Sequence, residues 1–523
     1  MCIRDSGRCL NTKNFMKVTQ LHKNFISNIL ALIANVVVGI LYTPYLIRSL
    51  GVAAYGILPL TLVINQYISV LTGSLSGALT RFYSIALQRN DTERASKCLS
   101  TIMGVFIISI IILFPVLFVF IDHLEDLFNL PIDQFRSAKF LFLFTICSLF
   151  TSLFSSSLNV TLYAENKLDL MNWLKIGRTC LKFVLAILFF SFLDKNVVYI
   201  GVANLITEIL VLLFSYILFR QSRNNHITIK ISLFDKTLLV SIWGMALWTI
   251  IHQMGDVGIY RIDNIIVNNS FGISDSGTLG AVSEFGVYVG LVVSVIGSLY
   301  GPIILKAYAK GEHDKVQNIV LNNSLIVGSL SAIMCGIMMG MASNVLTCWL
   351  GSSFSEYDRW LTLKLLPLPF FAAAGIYAFS NRACNIVRYP AIITVMMGIL
   401  NVGILWFISH FVSKKEMNTI DIISLMLCFS SFIVIIQSFT LNSIFFLKTY
   451  PDSKHQVVII FLKICLVLIM AYTFSKSIAY FCITSNMLEL VGLFLISGIL
   501  LLSLVYLFFF NKVQKKALAE LIK

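Results

Sequence analysis

The stretch KTLLVSIWGMALWTIIHQMGDVGIYRIDNIIVNN, residues Lys236–Asn269, is apolar and long enough to cross a membrane as a helix, because about 20 apolar residues span the hydrocarbon core. It nevertheless carries five strongly polar side chains: His252, Gln253, Asp256, Arg261 and Asp263. An ionisable group at the bilayer centre costs roughly 2.5–3.5 kcal/mol on insertion scales, so such a cluster is expected to face a bundle interior or a wet cavity. The stretch therefore predicts a membrane protein built around a polar interior.

Composition predicts an all-α polytopic membrane protein. Of the 523 residues, 58% are hydrophobic and 12% are charged, whereas soluble domains carry about 25% charged residues. The net charge of +14 is explained by basic loops that hold the cytoplasmic side of such a protein, so no nucleic-acid partner is expected. The eleven cysteines form no CxxC pair and are interpreted as small apolar residues of helices.

The beginning of the chain predicts a leader that does not belong to the native protein. The letters MCIRDS back-translate to a codon string that resembles a transposon-end sequencing adapter, so residues 1–15 are interpreted as non-native, with the real start near Met16. The first apolar segment is long enough to span the membrane, and no cleavable signal peptide is needed.

Counting apolar runs of about 20 residues predicts about fourteen transmembrane helices. Their approximate ranges are 25–47, 55–79, 98–121, 138–161, 177–193, 198–219, 238–266, 278–300, 318–341, 363–382, 391–411, 420–446, 457–475 and 487–510. With both termini inside, the cytoplasmic segments hold 27 Lys and Arg residues and the opposite side holds ten. This alternation predicts a multi-pass membrane protein with both termini in the cytoplasm.

The chain repeats itself at an offset of 221 residues. SLGVAAYGIL around Gly51 is answered by SFGISDSGTL around Gly272, and ALQRNDTERASK by AYAKGEHDKVQN. Six helices per half is an even number, so the halves share one orientation, as in parallel repeats about an axis along the membrane normal. The predicted domains are two six-helix lobes, 16–230 and 231–446, followed by two extra helices and a basic cytoplasmic tail, 447–523.

The motifs PYLIRSLGVAAYGI, IDNIIVNNSFG and YGPIILKAYAKGEHDK resemble the O-antigen and capsule repeat-unit flippases of bacterial polysaccharide synthesis. These flippases belong to a wider superfamily of multidrug and oligosaccharidyl-lipid exporters. The resemblance implies two six-helix lobes in a V around a central cavity, working by alternating access. It implies the lipid bilayer of the bacterial inner membrane as location and an undecaprenyl-diphosphate oligosaccharide as substrate. Polysaccharide polymerases and glycosyltransferases are candidate partners.

A diphosphate head group needs a wet, cationic path, and arginine binds phosphate through two donors. The candidate substrate-binding residues are Arg48, Arg261, Asn35, Asn65, Arg81 and Arg382. For the arginines a structural role stays open. Arg81 and Arg382 could be cytoplasmic anchors, Arg48 an outer-end arginine, and Arg261 the partner of Asp256 or Asp263.

The candidate ion-coupling residues are Asp256, Asp263, His252, Glu208 and Glu284. In a regular helix, His252, Asp256 and Asp263 share one face, and Gly255 and Gly258 could allow an irregularity that brings Arg261 to it. The alternative is that these groups lock helices together through hydrogen bonds, and that Asp263 is solvated at the outer helix end. The glycine pairs Gly73/Gly77 and Gly286/Gly290 are expected to permit close helix approach.

Several motifs are missing from the sequence. There is no GxxxxGK[ST], no HExxH and no His/Cys cluster with metal-ligand spacing, so neither a catalytic site, a metal nor a cofactor is expected. Two other functions stay open: a cation-coupled drug or metabolite antiporter of the same superfamily, and a membrane polysaccharide polymerase or ligase. An antiporter of cations would favour an acidic cavity, and a polymerase would favour a large external loop, which the short loops here do not provide.

Overall fold

The computed structural model describes residues 4–89, 91–221, 227–298, 300–384, 386–412, 417–481, 486–512 and 514–515. Throughout these ranges the regular structure is helical, with no strand. The chain forms two compact units, residues 1–250 and 251–523. A chain of this hydropathy satisfies its backbone hydrogen bonds within each helix, which is the condition for crossing a bilayer.

Eight helices lie wholly in the first unit: α1 (Arg4–Leu50), α2 (Val52–Tyr55), α3 (Ile57–Gln88), α4 (Thr92–Asp122), α5 (Leu124–Leu127), α6 (Ile132–Ala164), α7 (Leu168–Phe192) and α8 (Val198–Gln221). Helix α9 (Lys236–Tyr260) begins in the first unit and ends in the second.

The second unit contains α10 (Ile262–Phe271), α11 (Ile273–Ser298), α12 (Tyr300–Ala309), α13 (His313–Gly340), α14 (Ala342–Leu350), α15 (Asp358–Leu365), α16 (Leu368–Ala383), α17 (Arg388–Phe411), α18 (Thr419–Ile435), α19 (Asn442–Thr449), α20 (Lys454–Phe481) and α21 (Met487–Phe508). A π-helical turn, Ile436–Leu441, joins α18 to α19.

Each of the fourteen predicted segments falls on a helix of the structure. Within the described ranges, ten helical stretches are by themselves long and apolar enough to cross a membrane, or eleven with the bent helix α9. The other three predicted segments coincide with α3, α7 and α11. The prediction of 177–193 was too short, because α7 begins at Leu168 and includes a polar, basic first half that a hydropathy count leaves out.

The 221-residue offset is repeated in the backbone at two glycine turns. Gly51 and Gly272 both adopt positive φ, 80° and 108°, a conformation that glycine enters without steric cost. The Gly51 amide donates to the Ile47 carbonyl and the Gly272 amide to that of Asn268, and each glycine carbonyl accepts from the amide four residues later. Matching turns at matching positions show that the repeat is structural.

A second pair of turns repeats the same offset. The Asp91 amide donates to the Ala86 carbonyl at 3.0 Å, and the Glu312 amide donates to the Ala307 carbonyl at 3.1 Å. Asp91 and Glu312 then stand at the N-caps of α4 and α13. In the first copy the Asp91 carboxylate also accepts from the Arg94 amide, which is the usual role of an aspartate at this position.

Close helix packing uses glycines other than the predicted pairs. A Cβ on Gly73, Gly77, Gly286 or Gly290 would meet nothing within 4 Å, so these glycines support no close approach. Along α13, by contrast, a Cβ on Gly328, Gly336 or Gly340 would lie 2.5–2.7 Å from atoms of α20. Small residues let two membrane helices approach closely. Here they let α20, the first of the two extra helices, pack against α13.

Candidate functional site

The most deeply buried of the candidate acidic groups is Asp263, near the start of α10. Its side chain is only 3% exposed, and Oδ2 accepts a hydrogen bond from the Lys364 ammonium of α15. Its other oxygen accepts from the Asn264 amide. The alternative of a solvated Asp263 does not match this burial. Its partner Lys364 is one of the ten cations that the sequence assigns to the outer side.

Arg261 lies at the break between α9 and α10, beside a cavity of about 200 Å³. The cavity lining combines Arg261 and Lys364 with the hydroxyls of Ser283 and Ser430 and the ring of Phe371. It therefore places two cationic side chains beside one small, partly apolar space.

Glu284 is a second acidic group, close to Arg261. It hydrogen-bonds Tyr288 one turn further along α11 and lies within electrostatic reach of Arg261. With the Asp263–Lys364 pair, the local charges comprise two cations and two carboxylates. An anionic ligand would have to displace or share the carboxylates to bind here.

The break at Arg261 ends the regular helix that the sequence suggested for 238–266. The two glycines before it serve packing: a Cβ on Gly255 would meet the backbone of Thr394 and Val395 at 2.6 Å, and one on Gly258 would meet Gly398 at 3.3 Å. These glycines hold α9 against α17.

His252 and Asp256 form a separate pair one turn apart on α9. His252 Nδ1 and Asp256 Oδ2 are 3.1 Å apart, and the side chains are 38% and 33% exposed. The pair is therefore a contact within one helix, between two partly exposed side chains. Asp263 is in contact with Lys364 instead, so the three residues predicted to share one face have two different sets of partners.

Glu208 is the centre of a charged cluster in the first unit. Its carboxylate, 6% exposed, lies 3.0 Å from the Arg178 guanidinium and 3.5 Å from the Lys182 ammonium, both on α7. Both cations are among the 27 Lys and Arg residues that the sequence assigns to the cytoplasmic side. The cluster thus sets two basic side chains, each 33% exposed, against one buried carboxylate.

Asn35 has the structural environment of a helix-packing residue. Its Nδ2 donates to the Ala31 carbonyl at 2.8 Å, and its Oδ1 accepts from the Thr179 hydroxyl at 2.7 Å. The first bond lies within α1, and the second joins α1 to α7.

The other substrate candidates are not brought together. Arg48 is exposed in the last turn of α1. Arg382 is exposed at the end of α16, with its guanidinium carbon 4.6 Å from the centroid of the Phe379 ring. The side chains of Asn65 and Arg81 lie outside the described part of the structure.

A polar network at the π-helical turn was missed. Gln437 donates to the Thr394 hydroxyl at 3.0 Å and accepts from the Tyr260 hydroxyl at 3.4 Å. Asn401 donates to the carbonyls of Gly258 and Ile259. The available signal was an amide inside each of two apolar segments, 391–411 and 420–446. In the described residues no group of three or more His, Cys, Asp or Glu side chains is arranged to hold a metal ion.

Comparison with solved structures identifies the fold. The chain is similar to "Lipid II flippase MurJ, inward closed conformation", with a TM-score of 0.65 and 14% identity over 94% of this chain and 99% of that one. It is also similar to an inward-facing multidrug resistance MATE family transporter of the MOP superfamily, with a TM-score of 0.61 and 14% identity over 79% and 95% of the two chains.

A third structure, the Vibrio cholerae MATE transporter VcmN D35N mutant, gives a TM-score of 0.59 at 15% identity over 84% of this chain and 99% of that one. At these identities the likeness shows the fold, which is that of MATE and MurJ transporters.

Comparison with known sequences identifies the family. The chain is 24% identical over 395 residues to the "Uncharacterized membrane protein EpsK" of Bacillus subtilis (strain 168), covering 72% of this chain and 75% of that protein. The model of the family described as "Polysaccharide biosynthesis protein" matches residues 21–308, more than half of the chain. This chain therefore belongs to the polysaccharide biosynthesis protein family.

Proposed function

We propose that this protein moves an undecaprenyl-diphosphate-linked oligosaccharide from the inner to the outer leaflet of the bacterial inner membrane. The product would serve O-antigen, capsule or exopolysaccharide synthesis. Transport would proceed by alternating access of two lobes, residues 16–230 and 231–446, with residues 447–523 as two further helices and a cytoplasmic tail. The family membership and the MurJ-like fold support the proposal.

The observation that carries the proposal is the pair of cations at the 200 Å³ cavity of the second unit. Arg261 and Lys364 both line this cavity, and the carboxylates of Asp263 and Glu284 lie close to them. A diphosphate suits such a place because arginine stays charged when partly buried and offers two donors to phosphate. The carboxylates would compensate the cations when no substrate is bound.

The test is complementation of a deletion strain. Arg261→Ala and Arg48→Ala should each abolish surface polysaccharide and cause lipid-linked oligosaccharide to accumulate in the inner leaflet, whereas Arg→Lys at either position should preserve part of the activity. Arg136→Ala is the matched control, since Arg136 is an exposed arginine at the start of α6. Normal polysaccharide in both Ala variants would refute the site assignment.

Ion coupling by Asp256 or Asp263 is tested in reconstituted vesicles. Transport should respond to a proton or sodium gradient, and the Asn variants should lose the response. Because Asp263→Asn also removes the partner of Lys364, it is compared with Asp263→Asn/Lys364→Gln, which restores the charge balance. An unchanged response at both positions would leave membrane potential or the substrate gradient as the driving force.

A cation-coupled drug or metabolite antiporter is the second candidate. The partly exposed His252–Asp256 pair and the likeness to MATE transporters favour it. A deletion strain with normal polysaccharide but increased sensitivity to cationic drugs would support the antiporter and refute the flippase.

Reporter fusions to both ends test the proposed cytoplasmic termini, and co-purification tests polymerase and glycosyltransferase partners.

A further inference from the structure

A second cavity of the second unit shares no lining residue with the cavity beside Arg261. It is a cleft of about 660 Å³, lined by residues from α13, α14, α15, α18 and α20. This volume lies within the range of about 300–1,000 Å³ that is typical of small-molecule sites. The lining comes from the C-terminal ends of α13 and α20 and from the N-terminal parts of α14, α15 and α18, so it closes one end of the helix bundle.

The packing of α20 against α13 fixes this cleft. A Cβ on Gly340 would lie 2.7 Å from the Lys476 amide, the Ser475 Cβ and the Tyr472 carbonyl. Gly340, which lines the cleft, is therefore in close contact with the backbone of α20, the helix that carries Tyr472 and Tyr480. The first of the two helices beyond the repeat is a structural part of this site.

The charges around the cleft cancel. Arg359 Nη1 is 3.0 Å from Asp421 Oδ1, and Lys476 lies within electrostatic reach of Asp358. Lys476 also donates to the Tyr472 hydroxyl at 3.0 Å. Two cations are thus balanced by two carboxylates. A phosphate or a cation would find no excess of opposite charge, whereas a neutral ligand would find many donors and acceptors.

The rest of the lining suits a sugar. Tyr480 is 82% exposed and Tyr472 forms the adjacent wall, and tyrosine combines an apolar ring face with a polar hydroxyl. Thr362, Ser343 and Ser424 add neutral hydroxyls. A pyranose has apolar C–H faces and a rim of hydroxyls, which need ring surfaces and alternating donors and acceptors together.

We propose that this cleft binds an uncharged saccharide. The saccharide is the glycan portion of the transported lipid, an identification that rests on the proposed function. With the termini in the cytoplasm, helices α13 and α20 end on the outer side, so the cleft would hold the glycan after it leaves the translocation path. The site would be separate from any site for the diphosphate.

The experiment uses the full chain in phosphatidylcholine nanodiscs. Saturation-transfer NMR is recorded with maltotriose, cellotriose, chitotriose and mannotriose, followed by titration of those that bind. Tyr480→Ala and Lys476→Gln should each weaken binding about tenfold, the loss expected of one stacked ring or one charged hydrogen bond. Phe508→Ala is the control, because Phe508 is 78% exposed at the end of α21 and does not line the cleft.

Inorganic pyrophosphate is titrated in parallel. Saccharide binding that both cleft variants weaken, and that Phe508→Ala leaves unchanged, supports the proposal. No binding of any trisaccharide, equal binding by the variants and wild type, or pyrophosphate binding that Lys476→Gln abolishes would each overturn it. Complementation of the deletion strain by the wild-type gene is scored separately, so failure of the cleft proposal remains distinct from failure of the flippase proposal.

Discussion

Asp263 and Lys364 form an ion pair that joins α10 to α15, and the carboxylate is almost fully buried. Their positions are 101 residues apart, so neither local sequence nor helical periodicity connects them. A buried ion pair contributes little when compared with a well-packed apolar pair, but removal of one partner leaves an uncompensated charge. The two residues should therefore behave as one unit under mutation.

Replacement of either partner should destabilise the protein strongly. Asp263→Asn or Lys364→Met is expected to cost about 3–5 kcal/mol, and Asp263→Asn/Lys364→Met should cost less than the sum. The measurement is thermal unfolding of purified protein in detergent. Lys315→Gln, which removes an exposed partner of Glu312, should cost at most about 1 kcal/mol. Additive losses at 263 and 364 would contradict the pair.

The cluster around Glu208 should respond in the same direction. Glu208→Gln leaves the charges of Arg178 and Lys182 without their buried carboxylate, so the melting temperature and the surface polysaccharide of a complemented strain should both fall. Glu93→Gln is the control, because the Glu93 side chain is 75% exposed in its pair with Lys97. Equal effects of the two substitutions would show that the cluster has no special role.

Gly255 should tolerate no side chain. Gly255→Ala would place a Cβ 2.6 Å from the backbone of Thr394 and Val395, and such overpacking costs typically about 1–3 kcal/mol. Gly286→Ala is the matched control, since its Cβ would meet nothing within 4 Å. Melting temperatures of the two variants give the comparison. A stable Gly255→Ala protein would contradict the close contact of α9 with α17.

Asp235, just before α9, should make stability depend on pH. Hydrogen bonds from the Thr237 hydroxyl and from the amides of Leu238 and Thr237, together with the charge of Lys97, lower the pKa of this carboxyl. Because the folded-state pKa is the lower one, the stabilisation is present above the usual aspartate pKa of about 3.9 and is lost as pH falls through the folded value.

Asp235→Asn keeps a capping side chain but removes the charge. The melting temperature of the wild type should therefore exceed that of the variant at pH 7, and the difference should shrink as the pH is lowered below about 4. Thermal melts from pH 7 to pH 3 measure it. A difference that stays constant over this range would contradict a stabilising carboxylate.

The repeated turns and the fourteen helical segments could be predicted because their causes are local. Gly51 and Gly272 are recognisable at a fixed offset, and apolar length alone marks most spans. The partners of the charged residues could not be predicted. The sequence assigns Lys364 and Arg178 only to a side of the membrane, and the fold brings each to a carboxylate on another helix. Whether a glycine allows close packing depends on which helix faces it. The GxxxG spacing at Gly286 does not contain that information.

The glycine notch of α13 constrains how this gene could be shortened. Gly328, Gly336 and Gly340 are filled by α20, so a reading frame that stopped after Thr449 would leave three vacancies along one helix in contact with lipid. Loss of the last two helices would have to be accompanied by larger residues at all three positions. We therefore expect twelve-helix relatives to carry bulkier side chains there, and the length of the chain to be inherited together with these glycines.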